Sequence, residues 1–298
     1  MLNSRHDKFI LAPLLNILQE AVDACAGIGM GIESQALGEY VLQTTFLKMT
    51  GASEQKLKCI CWEIATNDYT YRYLYLKRNY GECSSYKDKN SIYRDILDVL
   101  IRIDPEFNVD TLFEDIDISS KENEMIENKI LNEQKKQESK KGKKLSDVEL
   151  ERLSEGIRKK HLNDEDRWRL NRVVLFESVQ KNLEKVLNKS LVSMWEQHGY
   201  HTFRKHWRDM KDMGFAESEG LLSNDLKEFY EKKVYAHRNR CAHNLMSYQN
   251  NLPSLKTIAQ KDYGLDNYFF RFSVLVLLDE IFVRLYQRFA ECVIRESM

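Results

Sequence analysis

Apolar residues recur along most of this chain at helical spacing. Between residues 8 and 26, Phe9, Ile10, Leu14, Leu15, Leu18, Val22 and Cys25 form one stripe and predict a helix. The run Gly27-Ile28-Gly29-Met30-Gly31 then breaks it. No strand precedes that run and no Lys-Ser/Thr follows, so it reads as a helix–helix connection and not as a phosphate loop. A second helix is expected over about 34–49, ending near Thr50-Gly51, and a third from about Ser53, with Leu57, Ile60, Cys61 and Ile64 on one face. Tyr69 to Tyr75 alternates with period two, but no partner strand is evident nearby. It reads as an aromatic-rich continuation of the third helix. Ile92, Ile96, Leu97, Leu100 and Ile103 define a short helix over 91–103, stopped by Asp104-Pro105.

Residues 114–165 differ. They are mostly Glu, Lys, Asn, Ser and Gln with sparse apolar positions, and 135–144 reads K-K-Q-E-S-K-K-G-K-K. That run is expected to be a solvated, mobile loop. Ser146-Asp147-Val148-Glu149 has the form of a capping box, with Leu145 and Leu150 placed for the hydrophobic staple. The region therefore predicts a charged helical hairpin or insertion. A long amphipathic helix follows from Asn163 to about Trp195 through Trp168, Phe176, Val179, Leu183, Val186 and Leu187, then a shorter one over 201–213 ending at Gly214. Ser223-Asn224-Asp225 is a helix start. The last helix, about 266–294, is apolar on most sides at its beginning and reads as the central buried element. Three prolines and twelve glycines leave little turn chemistry for a β fold. The expected class is all-α.

Charge is nearly balanced, 45 basic against 46 acidic residues, which argues against a chain that coats nucleic acid non-specifically. One stretch departs from that balance. Between Glu231 and Tyr248, Lys232, Lys233, His237, Arg238, Arg240 and His243 are interleaved with Val234, Ala236, Cys241, Ala242, Leu245 and Met246. A stretch both basic and apolar reads as a helix that carries polar groups into a protein crevice. The six cysteines are scattered without a C-x-x-C pair, so they read as buried free thiols, and no metal or other cofactor is expected. The N-terminus has no signal-peptide apolar region, and the most apolar run, Phe269 to Leu278, is about half a membrane span. A cytoplasmic protein without membrane contact is expected.

An arginine and a histidine a few residues apart are by themselves a near-chance event in a chain of this length. The fuller string Arg238-Asn239-Arg240-Cys241-Ala242-His243 is rarer, and it resembles the R-x4–6-H motif of the HEPN superfamily in its R-N-x-x-A-H form. The resemblance covers about residues 8–80 and 165–296 in pattern and six residues in motif. It implies a single HEPN-like helical bundle over 1–298 with a charged helical insertion at about 81–165. It also implies a metal-independent endoribonuclease, of the toxin or anti-phage defence type, silenced by an antitoxin or regulatory partner. The chemistry can be reasoned independently. Cleaving RNA through its own 2′-OH needs a group titrating near neutrality, for which His243 is suited, and a fixed cation at the phosphate, which Arg238 supplies through its planar fork. Asn239 would orient the phosphate or the histidine.

Positions five apart on a helix differ by about 140° in direction, so one chain does not aim both side chains at one point. A two-fold homodimer with a composite site is therefore expected. Lys232, Lys233, Arg240 and His237 are candidate contacts to flanking RNA phosphates, and Glu54 and Lys56 candidate supporting residues behind the site. The Tyr69–Tyr75 aromatics could stack bases, though packing is the plainer reading. The competing function is a non-catalytic HEPN-like helical dimer that binds protein or nucleic acid, in which Arg238 and His243 are structural.

Overall fold

The computed structural model describes residues 6–25, 34–78, 81–113, 115–159, 164–187, 220–243 and 268–296, and all regular structure among them is helical. The expected helix over 8–26 is two helices, α1 (Asp7–Leu11) and α2 (Leu15–Ala24). Ala12 lies in the extended region (ψ 119°) because Pro13 after it disfavours the helical conformation. By contrast, α3 (Ser34–Asn67) runs for 34 residues straight through the break expected at Thr50-Gly51. Gly51 is exposed, with open space where a Cβ would stand, while Met49, Thr50 and Ser53 around it are buried. One helical glycine costs only about 1 kcal/mol, less than the burial of its neighbours returns.

The aromatic segment is not a continuation of α3. Asp68 steps out of the helix, its carboxylate accepts from the Tyr71 amide (2.6 Å), and α4 (Tyr69–Lys77) starts afresh. Arg72 Nε closes the joint by donating to the Ala65 carbonyl (2.6 Å). Of the aromatics, Tyr71 is buried and stacks on Tyr75, while Tyr69 and Tyr73 are exposed. α5 (Tyr86–Ile103) starts five residues before its expected beginning because Ser85 caps it, the Ser85 hydroxyl accepting from the Asp88 amide (3.1 Å).

The chain forms two compact units, residues 1–112 with 176–298, and residues 113–175. The second is narrower than the expected insertion at 81–165, since α5 belongs to the first. It contains the helical hairpin α6 (Ser119–Lys141) and α7 (Asp147–Lys159), and the start of α8 (Asp164–Leu187). The lysine run is mostly helix, not loop: α6 continues to Lys141 and stops where Gly142 takes the left-handed conformation (φ 64°). Lys, Glu and Gln are strong helix formers even when fully solvated. The capping box is present, with Glu149 Oε2 accepting from the Ser146 amide (3.0 Å) and Ser146 Oγ from the Glu149 amide (3.4 Å).

In the first unit the last helix, expected at 266–294, runs over Tyr268–Glu296. Phe269, Phe270, Phe272, Leu275, Leu277, Ile281, Leu285 and Phe289 are buried along it, and it packs against α3 and α5. Burial on nearly all sides matches its expected central role. A buried ion pair ties it to the N-terminus: Lys56 Nζ meets Asp279 Oδ1 at 2.7 Å, and Asp279 Oδ2 accepts from the Leu14 amide at 2.7 Å. Lys56 also donates to the Ala12 carbonyl, so the break at Pro13 is held by the same lysine. The expected glycine-rich connection at 27–31, the continuation of α8 to Trp195 and the helix over 201–213 lie outside the described residues. No helix among the described residues is long and apolar enough to cross a membrane.

Candidate functional site

The basic stretch sits on one continuous helical segment made of α9 (Asn224–Phe229), a π-helical turn (Tyr230–Tyr235) and α10 (Ala236–His243). α5 fixes where this segment begins. Asn90 Oδ1 accepts from the Leu221 amide (2.8 Å), the Tyr86 hydroxyl from the Leu222 amide (3.3 Å), and the Tyr230 hydroxyl donates to the Ser84 carbonyl (2.7 Å). The π turn inserts an extra residue into the winding and so rotates everything after it. Tyr230, Val234, Tyr235 and Arg238 thereby line one small open pocket.

Its other walls come from elements far away in sequence. α3 contributes Thr50, Ser53 and Glu54 at helical spacing, α5 contributes Lys89, and Ser84 and Leu275 complete it. The volume is about 220 Å³ with the solvent mouth included. The enclosed part has room for about one water, far less than a cleft for a drug-sized ligand. Arg238 Nη2 pairs with Glu54 Oε2 at 3.2 Å, and Nη1 donates to Asn239 Oδ1 at 3.3 Å. The two side chains are 25% and 13% exposed. Two of the guanidinium's five N–H groups are thus used to fix its plane, and the other three make no hydrogen bond among the described residues.

Glu54 stands behind Arg238, and Asn239 is beside it. Lys56 does not stand there. Two residues further along α3 it faces away, committed to Asp279, and is no part of the site. His237 is also corrected: it is 3% exposed and is not a peripheral RNA contact. Its ring packs on Phe46 and Tyr268 (centroids 5.1 and 5.3 Å). Nε2 lies 3.1 Å from the Tyr268 hydroxyl, and Nδ1 faces Arg240 Nη2 at 3.4 Å. Arginine can only donate, so Nδ1 accepts and the proton sits on Nε2. Burial and the neighbouring Arg271 and Arg240 push the His237 pKa down to about 2, so the ring is a neutral core group.

Arg240 and Lys232 are exposed, Lys232 bonded to Glu228; Lys233 is half-buried, and its carbonyl accepts from Arg271 Nε at 3.2 Å. All three lie on the same helical segment as Arg238. His243 closes α10, and its side chain lies outside the described residues.

Lys89 was not expected. It is 1% exposed, yet it makes no ion pair among the described residues, and Ser53 Oγ at 3.4 Å is its hydrogen-bond acceptor. Burial drives its pKa down to about 8, with Glu54 opposing. A signal was available: Tyr86, Lys89, Tyr93, Ile96 and Leu100 fall on one helical stripe, so the lysine occupies a core position of α5.

The state of His237 sets an acid limb of stability. The folded ring stays neutral while the unfolded ring takes up a proton below about pH 6.5, so stability falls by up to about 1.4 kcal/mol per pH unit below that value. Urea melts at pH 7, 6 and 5 should show this slope in the wild type and a shallower one in His237→Phe.

Compared with known proteins, the chain matches no family model, no curated protein and no solved structure.

Proposed function

We propose that this protein is a metal-independent endoribonuclease of the HEPN type, cleaving RNA by attack of the ribose 2′-OH on the adjacent phosphorus. The supporting observation is Arg238, oriented by Glu54 and Asn239 at a pocket that Lys89 and Ser53 also line, with three N–H donors that make no hydrogen bond among the described residues. In the reaction the 2′-oxygen forms a bond to phosphorus as the bond to the 5′-oxygen breaks. One base accepts the 2′-OH proton and one acid delivers a proton to the leaving oxygen, giving a 2′,3′-cyclic phosphate and a 5′-OH. His243 supplies this proton transfer, Arg238 holds the negative charge that develops on the phosphoryl oxygens, and Asn239 orients the guanidinium. Two copies of the motif, one from each protomer of a homodimer, furnish the acid and the base. Arg240, Lys232 and Lys233 bind flanking phosphates. The setting we propose is a cytoplasmic toxin or anti-phage effector kept silent by an antitoxin or regulatory partner.

The test is incubation of total cellular RNA with the protein in EDTA. The wild type should yield fragments with cyclic phosphate ends, and His243→Ala should yield none. Cleavage surviving in His243→Ala, with contaminating nuclease excluded, would sink the assignment. The Arg238–Glu54 ion pair also favours a second reading, a binding module in which it merely ties α10 to α3. On that reading the wild type binds RNA or a protein and cuts nothing.

A further inference from the structure

The geometry points to the pocket as a site for one phosphate group, clamped between the Arg238 guanidinium at the rim and the Lys89 ammonium in the wall. The first argument is the state of Lys89. An ammonium has three N–H donors, and this one has a single long hydrogen bond to Ser53 Oγ while 1% exposed. A buried charge is normally paired. The buried Lys56 keeps that rule, with Asp279 and the Ala12 carbonyl as its partners. Lys89 lines the pocket and has no ion-pair partner among the described residues.

The second argument is charge. Lys89 and Arg238 place two cations on a pocket whose lining contains one carboxylate, Glu54, which is already bonded to Arg238. Asp88 also acts on Lys89, more weakly than Glu54, and does not line the pocket. The site is left one negative charge short. Thr50, Ser53, Ser84 and Tyr230 also line it, with the Thr50 hydroxyl bonded to the Leu47 carbonyl and the Tyr230 hydroxyl to the Ser84 carbonyl. The enclosed space is that of about one water, so a small polar group such as a phosphate oxygen can enter it and a nucleoside cannot. The carrier of that phosphate is the RNA backbone if the ribonuclease proposal holds, and the inference rests on that reading for the carrier alone. The same chemistry would accept a free phosphate.

Lys89→Met, of similar length and without charge, separates these possibilities, and its circular dichroism and melting curve verify folding. Two ligands are measured on both proteins: inorganic phosphate, as a shift of the melting temperature against chloride at equal ionic strength, and a short 2′-O-methyl RNA that cannot be cut, by fluorescence anisotropy across a salt series. The wild type should bind the RNA at least about tenfold more tightly than Lys89→Met, and the variant's salt slope should fall by about one phosphate contact. Stabilisation by phosphate without RNA binding, lost in the variant, keeps the pocket and assigns it a free phosphate. A wild type that ignores both ligands overturns the inference, and so does a variant that responds to both as the wild type does. RNA binding that depends on Lys89 in a protein that never cuts RNA retains the pocket and removes the nuclease. Cleavage with Lys89→Met as active and as tightly bound as the wild type does the reverse.

Discussion

Asp279→Ala is expected to lower the unfolding free energy by about 3–5 kcal/mol, the largest stability loss from any single polar substitution in the first unit. Both carboxylate oxygens are used, one on Lys56 and one on the Leu14 amide, and both side chains of the pair are buried. Truncation leaves the Lys56 ammonium in a dry site and orphans the first turn of α2. The same pair predicts a second, less intuitive result. Burial pushes the Asp279 carboxyl up despite the lysine beside it, so desolvation outweighs the attraction of the partners. Replacing both together, Lys56→Met with Asp279→Leu, should therefore be close to neutral or stabilising. Chemical denaturation of the two single variants and the double variant measures this directly. A double variant as unstable as the worse single one would show that the helix junction needs the polar contacts to Ala12 and Leu14 and not merely charge neutrality.

The second large effect is on activity. If the proposed reaction is right, Arg238→Ala should reduce single-turnover RNA cleavage by about 10²–10³, the scale seen when one oriented donor is removed from a developing oxyanion. Arg238→Lys should recover little, because an ammonium cannot hold Glu54 and Asn239 with one edge while presenting the other to phosphate. Glu54→Gln should fall between the wild type and Arg238→Ala, since the amide oxygen still accepts a hydrogen bond but no longer fixes a charged fork. Arg238→Lys and Glu54→Gln should shift the melting temperature little, since each keeps a hydrogen-bonding partner in place, while Arg238→Ala leaves the largely buried Glu54 carboxylate unpaired and should lower it modestly. An inactive Arg238→Ala that also melts far below the wild type would instead favour the structural reading of the motif.

The outline of this architecture could be read from one-dimensional pattern where burial is periodic. α5 and the last helix are of that kind, their apolar stripes reappearing as buried faces. Reading failed where a local rule was outvoted by packing or hidden by solvation. Gly51 looks like a stop and is not, because its side of α3 faces solvent; Pro13 looks tolerable within a stripe and breaks the helix through the residue before it. The lysine run is as polar as a loop and as helix-prone as any surface helix. At the site, Arg238 and Asn239 were visible as a string, and Glu54 could be guessed. The reason Glu54 matters, a contact across 184 residues, is invisible without the fold. His237 and His243 look alike in sequence. Helical phase decides that His237 is core, and the π turn sets that phase. Lys89 escaped because a lysine on an apolar stripe is ordinarily taken for one that snorkels to water.

The π turn over Tyr230–Tyr235 limits how portable this site is. A regular α-helical scaffold that received only the six motif residues would lack the π turn and present Arg238 at another azimuth. Removing one residue from the turn inside the intact protein is the equivalent operation. It keeps every side chain named in the motif, turns the Arg238 end of the segment by roughly a quarter of a revolution, and would leave Glu54 and Lys89 facing an empty wall.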